Sequence, residues 1–396
     1  MSFKELPLLK ENKGTVLFYP FVPKSSFKEV KKVLSGRWIT QGPKVEYFEK
    51  IFKKMFCNKY NCLAVGSGTD ALHLAYILVG LKKGDEVIAP VFTCTATNIP
   101  LLYMGINIKF ADIDAKTMNM SIESIESIIS KKTKAIIVVH YGGLPCDMDK
   151  IQKIATKYKI PIIEDAAHAL GAKYKDKKVG SISDFTIFSF QAIKHITTGD
   201  GGMLCFKDKK ILNKAKRLRW FGIDREKKQK GIWENDIKEI GYKYQLNDIG
   251  AAIGIESLKQ FKKLLSHRRK IFYIYLKNLS KNKSIQCIHD YNNKYFHSAW
   301  LFTIITKKKD YLQKNLRKAG IETNQVHFRN DKYSIFKKFA KNKIFKNMNQ
   351  LENQYLVLPI HHKITPRKAL YICSLINSLI QFYKIIKFFQ ITIKKK

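Results

Sequence analysis

The chain is poor in the residues and patterns that define several classes of protein. Its seven cysteines, at 57, 62, 94, 146, 205, 287 and 373, are odd in number and contain neither a CxxC pair nor a zinc-type spacing. A disulfide framework and a metal site are therefore not expected, and the thiols read as reduced, mostly buried small apolar residues. No uninterrupted run of about 18 apolar residues announces a membrane span. The start, Met1-Ser2-Phe3-Lys4-Glu5, lacks the apolar core of a signal peptide, which points to a cytoplasmic protein. Acidic residues are scarce, 32 against 73 Lys and Arg, for a formal charge of +41. Such a surface attracts nucleic acid or anionic lipid. The lysines are spread along the chain, with only short runs such as Lys307-Lys308-Lys309, and no nucleic-acid motif accompanies them, so nucleic acid is not expected as a partner.

What is present is a large globular chain. The 396 residues, 45% hydrophobic and 12% aromatic, can bury a core divided between two subdomains. From about residue 60 to 206 short apolar runs alternate with amphipathic stretches: Cys62 to Val65, Val87 to Ala89, Ile108 to Ala111, Ala135 to Val139, Pro161 to Ile163, Phe185 to Phe190, and Met203 to Phe206. That rhythm predicts an α/β domain with a mostly parallel sheet covered on both faces. A helix is expected to start at Asn247 or Asp248 as N-cap and to end on the basic pair Arg268-Arg269, where positive charge suits a C-terminus. Beyond it, a strand over 299–305, a helix over 310–318 and a strand at Tyr355 to Leu358, stopped by Pro359, indicate a smaller α+β domain.

Two residues stand out chemically. Asp165 ends the run Ile162-Ile163-Glu164-Asp165, and Lys194 follows the run Phe185 to Phe190 and precedes the turn Gly199-Asp200-Gly201-Gly202. The carboxyl ends of strands in open α/β sheets are where ligands bind. A lysine amine there can condense with an aldehyde, and a carboxylate held against a pyridine nitrogen keeps that ring protonated and electron-accepting. These are the needs of a pyridoxal phosphate (PLP) transaminase. Gly66-Ser67-Gly68-Thr69-Asp70, opening a helix, is suited to a phosphate, although such a loop is by itself a common turn.

Taken in order, the segments Ser35-Gly36-Arg37-Trp38 with Gly42-Pro43, Gly66 to Leu72, Pro90 to Thr97, Val139 to Gly143, the Asp165 and Lys194 segments, and Gly241 to Asp248 resemble the DegT/DnrJ/StrS family of nucleotide-sugar aminotransferases, from Gly36 to about Ser378. The resemblance implies the fold type I aminotransferase architecture: a large PLP-binding domain at 31–270 with a seven-stranded sheet and a small C-terminal domain at 271–380. An N-terminal segment, 1–30, would pack on the small domain, and a basic, aromatic tail, 381–396, has no counterpart in the family.

For the site, the resemblance implies Lys194 and Asp165 as catalytic residues, and Gly68, Thr69, Asp165, His168, Ser189, Lys194 and Lys243 as cofactor contacts. Lysine at 243, where many members carry asparagine, and histidine at 168 are similar to the branch of UDP-4-amino-4-deoxyarabinose synthase. Lys243 is then either a contact to the phosphate of the neighbouring subunit in a homodimer with shared active sites, or a surface lysine. Cys94 replaces the aromatic that stacks on the PLP ring, so stacking would be weaker or supplied by another side chain such as Phe92 or His168, and Gln191 replaces a histidine. His327 and Arg329 lie in a segment similar to one near the sugar-nucleotide mouth. Arg329 would pair with a diphosphate or with the glutamate carboxylate, or else be a buried structural arginine. The implied activity is transfer of an amino group from glutamate to a nucleotide-linked ketosugar in polysaccharide or glycan biosynthesis. Alternatives are a ketocyclitol or other ring-ketone acceptor, and a non-catalytic regulatory or binding protein on the same fold.

Overall fold

The computed structural model describes residues 8–234, 236–290 and 295–394. Its central sheet has seven strands: β1 (Asn61–Val65), β2 (Glu86–Pro90), β3 (Asn107–Ala111), β4 (Thr133–Val139), β5 (Ile162–Asp165), β6 (Phe185–Ser189) and β7 (Gly202–Phe206). Their spatial order is β1-β7-β6-β5-β4-β2-β3, and only β7 runs antiparallel to its neighbours. The central strands are short apolar runs buried on both faces, as crossover helices require of a parallel sheet, whereas the edge strand β3 leaves Asn107 exposed. A second sheet of three antiparallel strands, Gln286–Cys287, Phe302–Ile305 and Tyr355–Leu358, forms the smaller α+β unit.

The helix expected to stop at Arg268-Arg269 instead runs from Asp248 to Leu279, 32 residues. Its first half packs Ala251, Ile255, Leu258 and Phe261 against Phe48, Phe188 and Phe190 of the large domain. Its second half packs Ile271, Phe272, Tyr275 and Leu279 against Phe302, Leu356 and Leu358 of the small one. The basic pair is therefore mid-helix, and its guanidinium groups reach sideways: Arg268 donates to the Trp300 carbonyl (3.4 Å) and Arg269 to that of His297 (2.6 Å). The strand expected from Ala299 pairs only from Phe302 onward. Before it, Ser298, Trp300 and Leu301 give their N–H groups to the Gly143 and Gly142 carbonyls across the domain boundary.

Residues 9–17 meet the small domain through the Thr15–Ile321 bridge and the Glu322 carboxylate, which accepts from the N–H of Leu9 and Leu17, whereas Glu29 faces the large domain and accepts from Lys44 at 2.8 Å. Residues 1–7 lie outside the described part, as do residues 395 and 396. The last helix, Pro366–Lys394, passes without interruption through residue 381, where the sequence suggests a separate tail. Its Pro366–Ile386 stretch is long and apolar enough, with a mean hydropathy of 1.4, to cross a membrane on length and composition. Arg367, Lys368, Asn377, Gln381 and Lys384 interrupt its apolar run in the sequence. Within it Ala369, Ile372, Cys373, Ile376 and Ile380 are buried in the small-domain core.

Asn247 is the cap of the long helix, accepting the Gly250 N–H at 2.7 Å. Asp248, 1% exposed, turns instead to the helix Pro43–Phe52 and accepts the N–H groups of Gly42 (2.8 Å), Lys44 (3.1 Å) and Val45 (3.1 Å). Hydrogen bonds to a charged acceptor are among the stronger ones, and removing this acceptor strands buried donors. Asp248→Ala should lower unfolding free energy by roughly 2–4 kcal/mol, on the scale of such lost bonds and caps. Urea unfolding measures it, and an unchanged midpoint would show that the carboxylate does not hold the two helices together.

Candidate active site

The candidate residues gather at the carboxyl ends of the parallel strands. Asp165 closes β5 and pairs in register with Val139 and Ile187, so its side chain leaves the sheet where the loops after β4 and β6 diverge. It is 5% exposed. Burial pushes its carboxyl upward, opposed by the Thr97 hydroxyl, which donates at 2.7 Å, by the Ala167 N–H at 3.1 Å and by the charge of Lys194. Thr97 is fixed in turn by the Thr93 hydroxyl at 2.7 Å. Each oxygen of Asp165 takes one of these bonds, leaving acceptor capacity for a ring N–H.

Lys194 lies on the loop after β6. Burial lowers it to about 8, against the opposing effects of Cys94 and Asp165. Its amine sits 4.0 Å from the centroid of the Trp300 ring. Trp300 is the residue that sequence reasoning missed: read only as a strand position, it is 1% exposed and donates its indole N–H to the Ile193 carbonyl at 3.2 Å. It also stacks on His168, centroids 3.8 Å apart. Two residues before it, Ser298 ties two loops together: the His195 ring meets the Ser298 carbonyl at 2.8 Å, and the Ser298 hydroxyl donates to the His168 carbonyl at 2.8 Å. The segment closes tightly on Gly143, at φ +99°, where an added Cβ would lie 2.2 Å from the Ser298 hydroxyl oxygen. Only glycine fits there.

His168 and His327 lie nearly coplanar, with Nε2 atoms 3.2 Å apart. Burial and the charge of Lys194 keep both neutral, His327 down to about 3. The Gly142 N–H points at His168 Nδ1 (3.4 Å), so His168 carries its proton on Nε2 and donates to His327. Phe92, a candidate for ring stacking, is packed away against Tyr141 and Tyr355. Gln191 accepts the Ile193 N–H through Oε1 at 3.1 Å.

The phosphate loop is assembled beside β6. Ser67 caps the helix Gly68–Leu78 by accepting the Asp70 N–H at 3.0 Å, leaving the first-turn N–H groups of Gly68 and Thr69 for an anion. A Cβ at Gly68 would lie 3.0 Å from that of Ser189, and one at Gly202 would lie 2.4 Å from the Ser67 carbonyl oxygen, so both glycines let the loop close on the strand ends. Burial, with Asp200 nearby, pushes Asp70 up to about 6. The donor set, a built anion cradle, a desolvated amine and a buried carboxylate, fits PLP.

Two candidates are placed apart from this cluster. Lys243 is exposed, pairs through its backbone with Trp220, and its ammonium lies 5.1 Å from the Phe221 ring centroid. Arg329 is 4% exposed, and its guanidinium is engaged by both Asp331 oxygens (2.7 Å each), Asn349 (2.6 Å) and Glu352 (3.0 Å). A substrate anion would have to displace one of these carboxylates.

An amine held at about 8 is neutral above that pH and an ammonium below it. Competitive acetylation of the cofactor-free protein, read by peptide mass spectrometry, should give a midpoint near that value at Lys194. A midpoint at the ordinary lysine value would mean that the amine is not desolvated in solution.

Residues 22–377 match the DegT/DnrJ/EryC1/StrS aminotransferase family. The chain is similar to GDP-perosamine synthase of Escherichia coli O157:H7, 33% identical over 372 residues, covering 93% of this chain and 98% of that protein. It is also 33% identical over 371 residues to a UDP-4-amino-4,6-dideoxy-N-acetyl-beta-L-altrosamine transaminase of Campylobacter jejuni (strain 81-176), covering 92% of this chain and 96% of the relative. Among solved structures, the PLP form of the putative sugar aminotransferase Spr1654 from Streptococcus pneumoniae superposes with a TM-score of 0.85 at 27% identity, covering 92% of this chain and 98% of that one. The site geometry and these likenesses agree: the chain belongs to the DegT/DnrJ/EryC1/StrS aminotransferase family.

Proposed function

We propose that the protein is a PLP-dependent sugar aminotransferase that moves an amino group from glutamate to a nucleotide-linked ketosugar, in the cytoplasm, for polysaccharide or glycan synthesis. The observation that carries this reading is the meeting of a desolvated amine, Lys194, with a buried carboxylate, Asp165, at the ends of adjacent parallel strands. The names of the relatives, a GDP-sugar synthase and a UDP-sugar transaminase, support the nucleotide sugar as acceptor.

PLP, when bound, supplies an aldehyde and an electron-accepting ring. Gly68, Thr69 and Ser189 would hold its phosphate, and Asp165 would keep the ring nitrogen protonated. Lys194 would hold the aldehyde end and, as a free amine, would carry the proton removed from the donor carbon. Its lowered basicity suits that work, since an amine that titrates near working pH can both accept and return a proton. His168, neutral and fixed by Trp300 and His327, borders the cofactor space without adding positive charge. Arg329 holds the 328–331 segment in place at the mouth.

Purified enzyme, glutamate and a panel of nucleotide ketosugars test the assignment, with Lys194→Ala as the inactive control. Turnover of free ring ketones but of no nucleotide sugar would move the substrate to the cyclitol class. No transfer to any acceptor would remove the enzyme reading. Asp165→Asn should keep the fold and slow the glutamate half-reaction by roughly two orders of magnitude, the scale on which one preorganised electrostatic group acts. An unchanged rate would assign the ring nitrogen to another group.

The exposed Lys243 fits a site shared between subunits, a homodimer in which each lysine meets its partner's cofactor phosphate. Mixing Lys194→Ala with Lys243→Ala chains should then raise activity above that of either variant alone, because one site per mixed dimer is intact. Demonstrated subunit exchange without recovery would place Lys243 away from the partner's cofactor.

A further inference from the structure

Three of the seven cysteines meet in the fold although their spacing in sequence gives no metal motif. Cys62 on β1 and Cys205 on β7 are directly opposed in the antiparallel pair, so their side chains leave the sheet on one face. Cys57 ends the widened turn Lys53–Cys57 that follows the helix Pro43–Phe52, and it comes down on the same face. Its sulfur is 3.0 Å from that of Cys205, the Cys62 sulfur is 3.6 Å from that of Cys205, and all three lie within 4.8 Å of one another. A thiolate–metal bond of about 2.3 Å reaches all three sulfurs from one point among them. The cluster stands at the start of β1, whereas the Gly66–Thr69 loop follows the end of that strand, so the aminotransferase chemistry does not use it.

Two lysines stand beside the cluster and can offset the negative charge of a thiolate complex. Lys178, which donates to the Met55 carbonyl at 2.7 Å, and Lys53 place positive charge beside the sulfurs. Among the described residues no histidine or carboxylate joins the three sulfurs. Zinc in a structural site asks for a fourth ligand, whereas a soft monovalent ion is satisfied by thiolates alone.

We propose that Cys57, Cys62 and Cys205 form a three-thiolate site for one soft monovalent cation of the Cu(I) class, which ties the end of the helix Pro43–Phe52 to the sheet edge. Each sulfur that is still protonated releases its proton to solvent as its lone pair binds the ion. No electron is transferred, and Lys53 and Lys178 offset the remaining negative charge.

The test uses the full-length reduced protein without oxygen. Cu(I) is titrated in competition with a chromophoric Cu(I) chelator, and the loaded protein is examined by X-ray absorption. One ion per chain with three sulfur neighbours is expected, with at least a tenfold loss of apparent affinity in Cys62→Ser and none in Cys287→Ser. The spectrum needs no variant, so it decides the matter even where a substitution fails to fold. Two or fewer sulfur neighbours, affinity unchanged in Cys62→Ser, or isolation of a Cys57–Cys205 disulfide that retains no metal would each overturn the site.

Discussion

The arrangement depends on keeping one carboxylate charged where water is excluded. Asp165 sits at the end of a strand with its side chain nearly out of solvent, and desolvation drives it toward the neutral acid. Everything adjacent works the other way: Thr97 and the Ala167 N–H donate to it, and Lys194 lends positive charge. The same burial depresses Lys194, so the two groups moderate one another across the cofactor space. A protonated ring nitrogen would complete the set as a further donor, which makes the cofactor part of the electrostatic balance of the sheet as well as the agent of the chemistry.

That balance is held in position by the small domain. The lysine loop is clasped from above by Trp300 through the Ile193 carbonyl and by the Ser298 carbonyl through His195. The clasp is itself anchored by Gly142 and Gly143 on one side and by Arg268 and Arg269 on the other. Residues from three separate stretches of chain thus hold a single loop. Loss of any one of them would be felt as a displaced amine rather than a missing one.

The large sheet was legible in the sequence because its signal is local. Each strand is a short apolar run bounded by a turn, and Asp165 and Ser189 fall at run ends that the eye can find. The phosphate loop was legible for the same reason, through glycines required by a close approach. Trp300 was not, because nothing local distinguishes a tryptophan in a strand core from one that turns toward a lysine 106 positions earlier in the sequence. Nor was the length of the Asp248–Leu279 helix: Arg268-Arg269 looks like a helix end when the carbonyls they serve, on His297 and Trp300, are out of view. The cysteine cluster escapes for the strongest reason, since strand register alone brings 62 against 205.

The long helix has a mechanical consequence. At a rise of about 1.5 Å per residue it is a strut of about 48 Å, with one end built into each hydrophobic core. Two lobes joined by such a strut cannot swing about a flexible hinge there without breaking helical hydrogen bonds or uncovering one of the cores. Adjustment to ligands of different size then falls to the surface loops rather than to the strut.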